Sequence, residues 1–485
     1  MKNPIPVLLL LFLTGTLCSQ TDTIQLTLSE VVRLAQDEAP DALLARTRLT
    51  NRDWFYQAFL SNYKPQIRLD GTLPEFNRAV DQVALPEGLT FFKRTDLFSS
   101  LDLRLSQNVA ATGGRVFAST GLQRLDVFEG PSEGQQYVST PVVVGFDQPL
   151  FAYNRLKWDR QIEPLRYEEA SKAYVEEMEE VAFRTVELFF NVFTEQLNVE
   201  AARLNKANAD TLFNISQGRF EVGRIAETEL LQIELTAMNA NANLAQAILN
   251  LQSSTERLRN FLGLTNPVIF TLAPPDELPE FAIDAEKALL YGREHRSEIT
   301  GFERRLLESE SEVARARADS GPTISVRGQV GLTQTSKELA GVYATPFEAY
   351  QRAAINLSIP VADWGAAKSQ LKVAESNQEL AAMSVEQERI NLEQEILLNV
   401  RQFDLIRNQV DLAERAYEVA LKREEITRKR YFIGKIGILD LNIALSEQET
   451  ARRNYIQALR NFWLAYYDLR RMTLFDFERG AALGE

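Results

Sequence analysis

Apolar and polar residues alternate along this chain with two periods, in an order that is written twice. From 27 to 62 apolar residues return every three to four positions, at Val31, Val32, Leu34, Ala35, Ala42, Leu43 and Leu49. That spacing predicts an amphipathic helix with Ser29 as N-cap and Pro65 as its stop. The period then drops to two. Ile67, Leu69, Gly71 and Leu73 alternate with Gln66, Arg68, Asp70 and Thr72, so a strand here has one apolar and one polar face. The same alternation recurs at Leu101, Leu103 and Leu105, at Val116 to Leu122, and at Val138 to Phe146. The helical period resumes from about Asp159 to Gln217 and from Ile225 to Leu262. A second round follows: helix from Ile283 to Ala318, strands near 323–334 and 351–359, then helices from Asp363 to Arg430 and from Ile436 to Met472.

The doubling is visible residue by residue. Val222-Gly223-Arg224, which interrupts one helical stretch, returns 211 positions later as Ile433-Gly434-Lys435, and Pro149 returns as Pro360 at the same offset. Earlier in each copy the offset is 257, from Pro65 to Pro322, so the first copy holds 46 additional residues between Pro65 and Pro149. The chain therefore divides into a leader (1–19), a first helix (20–64), a strand region with an extra hairpin (65–149) and a long helical hairpin with its linker (150–280). The second copy gives a helix (281–321), a strand pair (322–360) and a second long hairpin with the C-terminal tail (361–485). The fold class is mainly α with inserted β. A helix over 363–430 is a rod about 100 Å long. Ile390, Leu397, Val400, Phe403, Ile406, Val410, Ala413 and Tyr417 give it the spacing of a helix-packing seam.

Met1-Lys2-Asn3 followed by the apolar run Val7 to Leu13 and small or polar residues to Gln20 has the layout of a secretory signal peptide. The only cysteine, Cys18, would leave with it, so disulfides and thiolate metal sites are not expected. Beyond residue 20 no apolar run approaches the about 20 residues of a membrane helix. Any membrane span must then be a β-barrel, the other structure that satisfies every backbone group in lipid. A net charge of −14 argues against nucleic-acid binding. The only histidine, His295, stands among Arg293, Glu294 and Arg296 with no second histidine to complete a zinc site or a triad, and reads as a solvated surface residue. No phosphate-binding glycine loop occurs, and no enzyme, cofactor or metal is expected.

Taken in order and duplicated behind a leader, Ala39-Pro40-Asp41, Pro149 and Pro360, and the two glycine-centred turns resemble the TolC-like outer-membrane efflux channel family across the whole mature chain. The resemblance implies a homotrimer: three copies closing one outer-membrane β-barrel over a hollow periplasmic tunnel of helices, which works with a membrane-fusion adaptor and an inner-membrane pump of proton-driven or ABC type. It implies strand-to-helix junctions at Pro65, Pro149, Pro322 and Pro360, and adaptor contact at the tips formed by Val222, Gly223, Arg224, Ile433, Gly434 and Lys435. It also implies a carboxylate ring at a periplasmic constriction from Asp440, with Glu229 at the corresponding position of the first copy. Ile436 and Ile443 replace polar residues of the family pattern, so an identical salt-bridge lock is not expected, and two merely solvated acids remain an alternative. The extra hairpin either adds membrane strands, for eighteen in a trimer, or projects outward. Twelve strands with an elaborated extracellular or rim hairpin is the expectation. Small-molecule efflux is the expected function; protein export by a type I system is the alternative within the class, and a secreted coiled-coil scaffold the alternative outside it.

Overall fold

The computed structural model describes residues 24–85, 88–129, 133–264, 270–273, 278–279, 281–344, 346–433, 435–436 and 438–483. The expected leader and Gly434 lie outside the described residues. The first copy runs β1 (Ile24–Leu26), α1 (Leu28–Glu38), α2 (Pro40–Ser61), β2 (Gln66–Leu85), β3 (Gly88–Val109), β4 (Gly114–Glu129), β5 (Gly134–Leu150), α3 (Arg155–Glu221) and α4 (Glu227–Phe261). Through the linker strand β6 (Phe270–Leu272) it passes to α5 (Ala285–His295), α6 (Ser297–Asp319), β7 (Thr323–Ser336), β8 (Glu348–Ser358), α7 (Ala366–Phe432) and α8 (Ile438–Thr473). The short strands β9 (Phe475–Asp476) and β10 (Ala481–Ala482) follow.

Each copy's first helix, expected to be continuous, is broken at one place in the repeat. Ala39 (φ −61°, ψ 141°) separates α1 from α2, and Arg296 (φ −65°, ψ 135°), 257 residues on, separates α5 from α6. Pro40 causes the first break, because a residue before proline avoids the helical region. At the second, the Ser297 N–H donates to Glu176 Oε1 at 2.8 Å, an acceptor from another helix. The N-caps repeat at the same offset: Thr27 caps α1 and Asp284 caps α5. Thr27, not Ser29, is the cap, because Glu30 at the third helical position reaches back to the Thr27 N–H at 2.9 Å and closes a capping box. At the far ends, Gly263 (φ 72°) and Leu474 (φ 49°), 211 apart, make the same left-handed exit, one with the residue suited to it and one without.

The six long strands form one antiparallel sheet in the order β2-β3-β4-β5-β7-β8, while β1 pairs with β6 and β9 with β10. The expectation that the extra hairpin stands outside the sheet is therefore corrected: β3 and β4 pair along their lengths and are internal to it. Register gathers the apolar residues on one face. Ile67 and Leu69 pair with Leu105 and Leu103, which pair with Ala118 and Thr120 on β4. Val116 and Ala118 meet Phe146 and Val144, and Ile324 and Val326 meet Leu357 and Ile355. The belt is bare, with Leu69 64% and Ile355 73% exposed. On the opposite face Arg68 pairs with Arg104 and Asp70 with Asp102, while Asp147 accepts from Arg327 at 2.9 Å. Like charges directly opposed in this way are destabilising unless water screens them.

The helices hang below the sheet. Packing places them in the order α2-α3-α6-α7 next to the sheet and α4-α3-α8-α7 farther away, with α3 and α7 running the full length. The core lies midway, where Phe189, Phe190, Phe403, Phe462 and Tyr466 are at most 1% exposed and α1 and α5 close over them. Val400, Phe403 and Val410 of the expected seam are in this belt, whereas Ile390 is 40% exposed. The charged fastener here is Arg470. Its guanidinium donates to both Glu179 oxygens at 3.0 and 3.1 Å, reaches Asp476 at 3.2 Å and lies over the rings of Tyr466 and Tyr467. Burial pushes the Glu179 carboxyl above its usual range, offset in part by Arg470. Burial acts to lower the Arg470 pKa, but the surrounding carboxylates and phenols outweigh it and keep the guanidinium charged. Tyr467, held among them, is pushed up to about 12 by burial.

Candidate functional site: the tunnel flanks, the polar face and the tips

Because α3 and α7 both start at the sheet and run 67 residues each, their far ends lie about 100 Å from it. At the end of α3, Gly223 (φ 72°) takes the left-handed conformation. Its N–H donates to the Phe220 carbonyl at 2.8 Å, and the Arg224 N–H donates to the Arg219 carbonyl, also at 2.8 Å. This is a Schellman turn, closed by backbone alone. The bond recurs at the end of α7, where the Lys435 N–H donates to the Arg430 carbonyl at 3.0 Å. Val222, Arg224, Ile433 and Lys435 are left exposed, Val222 and Ile433 by more than 60%. Asp440 sits exposed in the first turn of α8, next to the buried Leu441. Glu229 lies in the first turn of α4, and its side chain is outside what the structure describes.

Pro65, Pro322 and Pro360 flank β2, β7 and β8 at the sheet–helix boundary, and Pro149 is the last residue but one of β5, opposite Ser325. Side chains staple this boundary. Tyr63 Oη donates to the Leu156 carbonyl at 2.8 Å, Gln107 Nε2 to the Tyr63 carbonyl at 2.8 Å, and Asn154 Nδ2 to the Ala110 carbonyl at 2.9 Å. Among the described residues no cluster of histidine, cysteine and carboxylate side chains is arranged to hold a metal. His295 is half-buried rather than solvated, its ring 6.2 Å from that of Tyr291.

Both flanks of the molecule are unfinished from top to bottom. One flank consists of the free edge of β2 with α2 and α4 below it; the other consists of the free edge of β8 and α7. On α7 the exposed residues Leu398, Leu405, Leu412, Val419 and Ile426 recur every seven positions. On α4 Leu231, Leu235, Met238 and Leu249 are exposed at three-, four- and eleven-residue steps. Strict seven-residue repeats of exposed apolar residues are coiled-coil seams without a partner. The α7 stripe was open to reading from the sequence by its period, yet only burial separates it from the neighbouring seam that faces the core.

The sequence profile of the outer membrane efflux protein family matches residues 100–264 and 293–473. The chain belongs to the outer membrane efflux protein family. The solved structure of the Campylobacter jejuni CmeC outer membrane channel is similar to it at TM-score 0.67 and 18% identity, covering 94% of this chain and 87% of that one. The Vibrio cholerae outer membrane protein VceC is similar at TM-score 0.61 and 13% identity, over 92% of this chain and 95% of that one. The open state of the Neisseria gonorrhoeae MtrE outer membrane channel matches at TM-score 0.54 and 17% identity, over 93% and 90%. No curated protein sequence matches. The fold expected from the resemblance, two copies of long helices with an inserted sheet, is the fold observed. This efflux family member acts in the outer membrane as a channel, and no helix among its described residues is long and apolar enough to cross a bilayer.

Proposed function

We propose that this efflux protein is a homotrimeric, passive export duct that conducts small molecules from a periplasmic adaptor and an inner-membrane pump to the exterior. The observation that carries the reading is the pair of unfinished flanks. A free β edge and exposed apolar helix stripes run down each side, and a copy rotated about a common axis would cover both at once. The apolar belt then faces lipid and the Arg68, Asp70, Asp102 and Arg104 face lines a water-filled lumen. Transport energy comes from the partners. The tips carrying Val222, Arg224, Ile433 and Lys435 are the adaptor contacts, because a backbone-closed turn leaves their side chains unengaged. Asp440 from each copy forms a carboxylate ring at the tunnel mouth, which favours cations.

The test is planar-bilayer conductance of the detergent-extracted protein, with heated and unheated samples run on a gel from the same preparation. A heat-dissociable trimer giving cation-selective unit currents is the expected result, with selectivity reduced in Asp440→Asn. A monomer without unit currents would sink the duct. Unchanged selectivity in Asp440→Asn would remove that residue from the mouth and leave the duct standing. Leu412→Asp, which puts a charge in the α7 seam, is expected to abolish the trimer while the monomer's helical signal persists.

A further inference from the structure

We infer that β3 and β4 cross the membrane with the other strands, so that the trimer closes an eighteen-stranded barrel by pairing β2 of each copy with β8 of the next. This rests on the trimeric reading above and goes beyond it, since it sets the width of the exit. Three observations support it. First, the β3–β4 turn lies on the tunnel side of the sheet. Asn154, the N-cap of α3, donates to the Ala110 carbonyl, Gln148 Nε2 donates to the Thr112 carbonyl at 2.9 Å, and Asn108 Nδ2 donates to the Asn62 carbonyl at 3.2 Å. A hairpin projecting as an outer cap would turn at the opposite end. Second, Leu101, Leu103 and Leu105 on β3 and Val116, Ala118 and Leu122 on β4 continue the apolar belt in register between Ile67 and Leu69 on one side and Val144 and Phe146 on the other. Residues on an external cap have no reason to carry that belt.

Third, the widths agree. Four helices stand side by side beneath each sheet, and at packing distances of 8 to 10 Å they span about 32–40 Å of circumference. Six strands 4.8 Å apart and tilted by about 40° span about 38 Å, whereas four would span about 25 Å. The six-stranded sheet is as wide as the tunnel wall it surmounts. A four-stranded one would force the tunnel to taper into the barrel. The exit mouth of this channel is then as wide as the tunnel itself, and selection by size falls to the periplasmic end.

Single cysteines in a full-length Cys18→Ser background test this. Each is labelled with an environment-sensitive fluorophore in detergent and reconstituted into bilayers whose acyl chains carry bromine quenchers. Ile67→Cys and Ile355→Cys, on the edge strands, are the lipid references, and Ser119→Cys, on the polar face of β4, is the lumen reference. Leu103→Cys and Ala118→Cys are expected to be quenched at least twofold, as the two lipid references are, with Ser119→Cys unquenched. Quenching at Ile67 and Ile355 but not at Leu103 and Ala118 would put the hairpin outside the wall and overturn the eighteen-stranded barrel. Absence of quenching at all of them would instead overturn the membrane-barrel reading itself.

Discussion

The buried belt midway along the helices and the helix tips both carry charged residues, yet treat them in opposite ways. In the belt, Arg470 is enclosed and satisfied by Glu179, Asp476 and two tyrosine rings. At the tips, Arg224 and Lys435 extend from turns whose hydrogen bonds among the described residues run backbone to backbone. A buried charge with partners ties distant chain segments together, because leaving either partner alone in low dielectric is costly. An exposed charge on a self-sufficient turn ties nothing, and is free to meet another protein. Charge fastens structure in one region and is left out of it in the other, and burial tells them apart.

The largest effect that sharpens this contrast is predicted in the belt. Phe403→Ala removes a fully buried ring stacked on Phe281 and tilted against Phe462, and should cost about 3–5 kcal/mol of stability, read as a lowered guanidinium midpoint. Glu179→Ala leaves Arg470 with Asp476 as its one remaining carboxylate partner, and about 3 kcal/mol should be lost in the same assay; an unchanged midpoint would mean that the belt charges fasten nothing. At the tip, Gly223→Ala meets no atom within 4 Å of its new Cβ, so its penalty is backbone strain alone, about 1 kcal/mol.

Reversing the tip charges, Arg224→Glu with Lys435→Glu, should change the unfolding midpoint by no more than the equivalent of about 0.5 kcal/mol. The same double variant should fail to restore drug efflux to cells lacking the channel, although conductance of the purified protein is retained. A large loss of stability would break the contrast. The smallest effect belongs to an exposed pair. The bidentate hydrogen bond from Arg305 holds the Glu388 carboxyl below its ordinary value of 4.5. Its folded pKa being the lower one, the stabilising share is complete above 4.5 and disappears as pH falls through the depressed value. Glu388→Gln should therefore slightly flatten the acid limb of the stability profile, with the difference from the wild type vanishing at the lowest pH.

Much of the molecule was legible in the chain because helix and strand periods are local properties, set by 3.6 and 2 residues per turn of pattern. The two periods, the 211- and 257-residue offsets, the helix-ending Gly223 and the prolines at the sheet boundary could all be read without coordinates. The second helix break at Arg296 could not, since the acceptor that takes up the Ser297 N–H there is Glu176, 121 residues earlier in the chain. Nor did any sequence signal mark Glu179 as the partner of Arg470, or separate Leu412 on an open seam from Val410 in the core. The place of β3 and β4 was likewise decided by the tertiary fold: period two makes a strand, but only the pairing of β3 with β2 and of β4 with β5 makes the hairpin internal. What repeats along a chain is determined by geometry per residue; which elements meet is determined by the packing of segments hundreds of residues apart, on which local pattern is silent.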